Sequence, residues 1–363
     1  MRRDLSLWSV LLVLALALAY WASLPESETD GEKVRLFAVD PKTVTAVEFT
    51  ASGDEHAEVK LTRRDDGRFW VEHARTVVKP QPSPAMDPSS SPTATPVAEI
   101  AASKGELVTE RFLAAAKLDE ILAGFNPLEA QRVLGKVDRA TLAGFGLGGD
   151  SPDAPKPDRL VVTAGNDRIE LVIGKTSYGS RNRFAQVLAP NPSERVVLIN
   201  GDGVSDLAKA NIRLFERALL GTAMDEITRA EVVHGEKSKF FDHTKRDGSG
   251  NLQWSDDGDG ASPNATYKSW FDKIERLRLM SYASDEHAAT AVASAPRFVV
   301  RFMKGEEVVD SLEFFVARVA ATGGESGEVD TWFVRSKFLG AVARLVEARA
   351  APLEKDLPQL FGN

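Results

Sequence analysis

The strongest limit on the fold is a recurrence, because an order of elements laid out over residues 44–222 is laid out again over 223–363. In the first run, Val44–Thr50 (VTAVEFT) and Glu58–Thr62 (EVKLT) alternate apolar and polar residues as half-buried strands do. Asp65-Asp66-Gly67 signals a turn, and Phe69-Trp70-Val71 resumes a strand. Val108, Phe112, Ala115, Leu118, Leu122 and Phe125 recur every three or four residues, which predicts a helix ended by Gly124. Strands are expected at 159–163, 168–173, 183–188 and 195–199, and a second helix from Val204 through Leu207, Asn211 and Phe215 to Leu219. In the second run, Ile227–Val233 (ITRAEVV) stands where VTAVEFT stood, and Thr244–Trp254 (TKRDGSGNLQW) parallels Thr62–Trp70 (TRRDDGRFW). A helix with Tyr267, Trp270, Phe271, Ile274 and Leu277 on one face follows, then strands at 297–303, 308–315 and 331–335. A last helix is expected to carry Phe338, Val342, Leu345 and Val346. The match is one of pattern, with few identities. It predicts an α+β class: two tandem repeats of strands, helix, strands, helix, with helices on one face of largely antiparallel sheets.

Ahead of the repeats, Leu5–Leu24 (LSLWSVLLVLALALAYWASL) has no charged residue. A helix of that length spans roughly 30 Å, the hydrocarbon thickness of a bilayer. Arg2 and Arg3 precede it and Glu26, Glu28 and Asp30 follow, so the positive-inside rule leaves residues 1–4 cytoplasmic and exports the rest. Trp8 at one end and Tyr20 and Trp21 at the other suit the interfacial belts. The expectation is a single-pass signal-anchor in contact with membrane lipid, placing the body in the periplasm or outside the cell. The alternative is secretion after cleavage of a signal peptide near Ala17-Leu18-Ala19. Residues 25–43 read as a polar tether. Residues 79–96, with Pro80, Pro82, Pro84, Pro88, Pro92 and Pro96, read as a surface loop inside the first repeat.

Composition removes several functions. Formal charge is −8, from 45 basic and 53 acidic residues, so the long-range field repels nucleic-acid phosphates and no nucleic-acid partner is expected. The absence of cysteine removes disulfides, thiol catalysis and Cys-type zinc sites. No catalytic, cofactor-binding or metal site is assigned. The histidines, His56, His73, His234, His243 and His287, stand in no metal-binding spacing, although His234 and His243 flank Phe240-Phe241-Asp242 and could share a hairpin. Gly144–Asp150 (GFGLGGD) lacks the lysine of a phosphate loop and reads as a helix end plus turn. Ser255–Gly260 (SDDGDG) fails the calcium-loop pattern, since counting from Asp257 puts Ala261 fifth and Lys268 where the terminal Glu belongs. Trp70, Trp254, Trp270 and Trp332 read as core residues, with sugar stacking the competing use. Arg181 and Arg183 read as part of a solvated hairpin loop able to meet an anion, and Asn264-Ala265-Thr266 as a glycosylation sequon only in a host that uses one.

The strand V-x-x-V/I-x-F/L, the polar-Asp-Gly-x-Trp hairpin, Leu142-Ala143-Gly144-Phe145-Gly146-Leu147, Ile173-Gly174-Lys175 and Phe184-Ala185-Gln186-Val187 occur in that order behind the apolar run. Together they resemble domain-of-unknown-function family 4340. The resemblance covers nearly the whole chain after the anchor and is better in the first half. It implies an anchored bacterial extracytoplasmic protein, encoded beside gliding-motility-associated ABC transporter components, and it implies no catalytic residue set. The Pro-rich loop and the acidic Gly-rich loop near Asp256 depart from that pattern. The expected function is therefore a non-enzymatic accessory or scaffold protein of an ABC-type transport or envelope assembly. A glycan- or ligand-binding module is the alternative, and an enzyme with an unrecognised site the third reading.

Overall fold

The computed structural model of the chain describes residues 34–52, 56–77, 106–148, 156–190, 192–246, 248, 250–258, 262–320 and 327–362. The expected membrane segment 5–24, its determinants Arg2, Arg3, Trp8, Tyr20 and Trp21, and the Pro-rich stretch 79–96 lie outside the described residues. Among those described, no helix is long and apolar enough to cross a membrane. The chain divides into two compact units, Met1–Thr109 with Ala116–Leu214, and Glu110–Ala115 with Phe215–Asn363.

The first sheet is built from β1 (Val34–Phe37), β2 (Val44–Ala51), β3 (Ala57–Arg63), β4 (Phe69–Val77), β5 (Glu106–Leu113), β6 (Leu128–Lys136), β7 (Asp158–Ala164), β8 (Asp167–Thr176), β9 (Asn182–Ala189) and β10 (Arg195–Asn200). Its order is β1-β6-β10-β9-β8-β7-β2-β3-β4-β5. Although β7 buries Leu160, Val161 and Val162 in succession, alternation is clearest in β3, where successive side chains point to opposite faces and only one row is buried. The register lines that row up: Val71, Leu61, Val47, Val162 and Ile169 sit opposite one another across five strands, all buried. Short helices α1 (Lys117–Ala123), α2 (Arg139–Gly144), α3 (Asp202–Ala208) and α4 (Ala210–Arg213) connect and flank the strands.

The second sheet takes β11 (Arg229–His234), β12 (Lys237–Arg246), β13 (Leu252–Asp256), β14 (Leu279–Tyr282), β15 (Phe298–Lys304), β16 (Glu307–Ala320), β17 (Glu328–Ser336) and β18 (Ala341–Leu345). Its order is β13-β12-β11-β15-β16-β17-β18-β14. Helices α5 (Ala265–Glu275), α6 (Asp285–Val292), α7 (Glu347–Lys355) and α8 (Leu357–Phe361) complete the unit. This order repeats the β4-β3-β2-β7-β8-β9-β10-β6 part of the first sheet, strand for strand. Each time, a three-stranded meander leads through a helix to a strand at the far end of the sheet, and a four-stranded meander fills the gap. The outer strands have faint counterparts too. β5 corresponds to a lone bridge between Ser255 and Pro263, and β1 to one between Ala218 and Arg278.

The expected α+β class is corrected. Of the described residues 50% are in strands and 23% in helices, in two large antiparallel sheets, so the protein is mostly β. Helices also cover both faces of the second sheet rather than one. Trp270 and Phe271 of α5 meet Phe298 and Phe302, whereas Ala291 of α6 packs with Phe315 and Phe333, whose side chains point the other way from that of Phe314. Two expected helices are strands in whole or part. Residues 106–113 form β5 and only Lys117–Ala123 is helical, and Phe338–Leu345 is a turn leading into β18, with α7 starting at Glu347. The helix expected from Val204 to Leu219 stops at Arg213. A three-to-four spacing over two turns also fits a strand followed by a turn, and cross-strand pairing decided between them.

Candidate functional site

Helix α5 is lined by several concavities. Asn264 starts the helix by accepting the backbone N–H of Thr266 at 2.8 Å, so the expected sequon asparagine serves as an N-cap. Tyr267, Trp270, Phe271 and Ile274 then fall on one face, as the 3.6-residue period requires, and all four are buried. Beneath them the rings of His243, Trp254 and Phe271 form a continuous stack, with centroids 4.1 Å and 3.7 Å apart. The indole N–H of Trp270 donates to the Leu353 carbonyl at 3.0 Å and ties α5 to α7.

At the N-terminal end of α5 a polar knot holds the same layer. The Lys239 ammonium donates to the Tyr267 hydroxyl at 2.9 Å and the Leu360 carbonyl at 2.8 Å, and pairs with Asp256 at 2.7 Å. The Tyr267 hydroxyl in turn donates to Asp256 at 2.9 Å. Burial pulls the Lys239 pKa down, but the bonds to Asp256 and Tyr267 outweigh it and keep the ammonium above its ordinary range. The bond from Lys239 holds the Asp256 carboxyl below the usual carboxylate range. Both groups stay charged at neutral pH, as a structural clamp needs and a proton-transfer pair does not.

Three hollows open on this helix. The largest, 490 Å³, lies between α5 and α7 and includes Lys268, Ser269, Lys273, Arg276, Ala348 and Arg349 in its lining. A second of 440 Å³ is lined in part by Asp225, His243, Trp254, Lys268 and Glu275, and a third of 300 Å³ by Thr266, Lys273, Asp356 and Gln359 among others. In the second, burial pushes the His243 pKa down, and its Nδ1 lies 2.9 Å from the Ile227 carbonyl oxygen. The neutral ring therefore carries its proton on Nδ1 and donates it to the backbone. His234 and His243 do share the β11–β12 hairpin but not a site. His234 pairs with Lys237 at the turn, and His243 lies beyond the Arg229–Asp242 pair at the other end.

The remaining sequence candidates resolve into packing. Trp254, Trp270 and Trp332 are 2%, 1% and 6% exposed, and half-buried Trp70 lies under the Arg64 guanidinium at 5.0 Å. Asp256 and Asp257 of the acidic turn are engaged by Lys239 and Arg229, the latter at 2.6 Å. Arg183 is drawn inward to the Gly174 carbonyl and to Asp158 at 2.8 Å, while Arg181 extends into solvent beside fully exposed Tyr178. The glycine-rich phrase is a helix end. Leu147 N–H reaches the Leu142 carbonyl and Gly146 N–H the Ala143 carbonyl, both at 3.0 Å, with Gly146 left-handed at φ 72°. Its Phe145 carbonyl accepts Lys175 N–H at 2.9 Å, and its Phe145 ring stacks on Phe184 at 4.2 Å. Three of the five phrases quoted for the resemblance thus meet at one packing junction. Among the described residues no group of three or more His, Cys, Asp or Glu could hold a metal ion.

The cluster around α5 was legible only in part. The apolar face of the helix is plain in the sequence, but the opposing wall comes from residues about eighty positions later. The chain matches no protein-family model, no curated protein and no solved structure.

Proposed function

We propose that the chain is a membrane-anchored, extracytoplasmic accessory or scaffold protein without enzymatic activity, associated with an ABC-type transport or envelope assembly. The supporting observation is what its chemistry-bearing side chains are doing. His243, Trp254, Lys239, Asp256 and Arg183 are each tied into stacking, capping or backbone hydrogen bonds that hold the two sheets' surroundings in place. Two β-rich units each offer broad sheet surface, and the uncharged run Leu5–Leu24 behind Arg2 and Arg3 supplies the attachment. The resemblance to family 4340 adds the transporter setting. Crosslinking in intact cells followed by purification through a C-terminal tag tests it. Enrichment of membrane-transport subunits over a control truncated after residue 33 is expected, and recovery of none counts against the role.

A second reading, a ligand-binding module, is favoured by the hollows around α5. It does not work through a platform of exposed tryptophans, because Trp254, Trp270 and Trp332 are core residues and half-buried Trp70 is covered by the Arg64 guanidinium.

A further inference from the structure

The two units place a helix pair at the same point of the same topology, and the two pairs differ in one respect. In the first unit α1 and α3 approach each other. The Ile121 side chain lies 3.5 Å from where a Cβ on Gly203 would stand, and Lys117 faces the Asp206 carboxylate at 3.8 Å, which also meets Arg213 at 3.6 Å. The cations of that pair have their anion within the fold. In the second unit the corresponding helices, α5 and α7, are tied by the Trp270–Leu353 hydrogen bond and the Lys273–Asp356 ion pair, and the 490 Å³ crevice opens beside those contacts.

The crevice has more positive charge than its carboxylates balance. Lys268 pairs with Asp272 at 2.7 Å and Lys273 with Asp356 at 2.6 Å, which neutralises both lysines. Arg276 and Arg349, on opposite walls, pair with no carboxylate among the described residues. Two unmatched guanidiniums, with the Ser269 hydroxyl between the helices and buried Leu277 in the lining, make a polar cradle on an apolar base. The volume suits a small molecule. The overall charge of −8 disfavours an extended polyanion or an anionic membrane, which would feel the whole field rather than this one crevice.

We infer that the crevice between α5 and α7 binds a small oxyanion, a carboxylate or phosphate group, held between Arg276 and Arg349. This gives the ligand-binding reading a chemical class and is independent of the docking role.

The test is calorimetric titration of the full-length chain in a neutral detergent with inorganic phosphate and, separately, citrate. Saturable binding with a Kd near 1 mM or tighter is expected for at least one of them. Phosphate alone identifies a phosphoryl ligand, and citrate alone a carboxylate. The double variant Arg276→Gln/Arg349→Gln should weaken that binding at least about tenfold. Lys117→Gln, on α1 of the first unit, should leave it unchanged. Both arginines are exposed, so an unaltered circular dichroism spectrum and melting point accompany the loss. Absence of saturable binding by either anion, or equal binding in the double variant, overturns the inference. Neither result bears on recovery of transport subunits by crosslinking.

Discussion

Individual residues carry large responsibilities at close approaches. A Cβ on Gly174 would fall inside the van der Waals envelope of the Phe145 carbonyl oxygen, which that junction needs in place to accept Lys175 N–H. Gly174→Ala should therefore cost about 2–4 kcal/mol in urea unfolding. Asp310, 2% exposed, accepts backbone N–H groups of Gly221 at 2.8 Å and Ser311 at 2.9 Å. Asp310→Ala orphans those donors and should cost about 1–3 kcal/mol in the same assay. His243 sets a pH dependence. Its folded pKa lies below the ordinary 6.5, so its stabilising contribution is complete above that value and is lost as pH falls through the folded one. Denaturation midpoints should thus drop between about pH 7.5 and about pH 5.5, and drop less in His243→Phe. By contrast, Tyr178→Ala at the exposed β8–β9 tip should alter stability by no more than about 0.5 kcal/mol.

Among elements, α5 is the keystone of its unit because one helix face meets the stacked rings and its ends meet the Lys239 knot and α7. Trp254→Ala removes the middle ring of the His243–Trp254–Phe271 stack and should cost about 3–5 kcal/mol, measured by thermal or urea unfolding. Helix α5 was readable in advance, since five large apolar residues recur at helical spacing within eleven positions. Strands β2 and β3 were equally readable from alternation, and β7 from its apolar run Leu160–Val162. β6 was not: in LEAQRVLGK only Leu128 and Ala130 are buried, and its place comes from pairing with β1 and β10. β5 reads as a helix because Val108 and Phe112 are four apart, a spacing that two same-face strand positions also satisfy, and β18 because Val342 follows Phe338 of the preceding turn at the same interval. The α5–α7 crevice depends on a wall supplied by Ala348, Arg349 and Pro352, and nothing local to α5 announces them.

On the scale of the whole molecule, one sheet order occurs twice although few residues are shared between the halves. What recurs is the sequence of alternations, turns and helix faces, which is the information that strand order requires. The halves differ in charge at the matching helix pairs: Lys117 meets Asp206 in the first, whereas in the second Arg276 and Arg349 line the crevice without a carboxylate partner among the described residues. The proposed role needs this doubled body to be presented outside the cytoplasmic membrane by the run Leu5–Leu24. A reporter enzyme active only outside the cytoplasm, fused after Asn363, tests that premise most directly. Full activity in intact cells, with the fusion retained in the membrane fraction, is the expected result. An inactive reporter with its fusion intact and expressed, placing the C-terminus on the same side as Arg2 and Arg3, would contradict it.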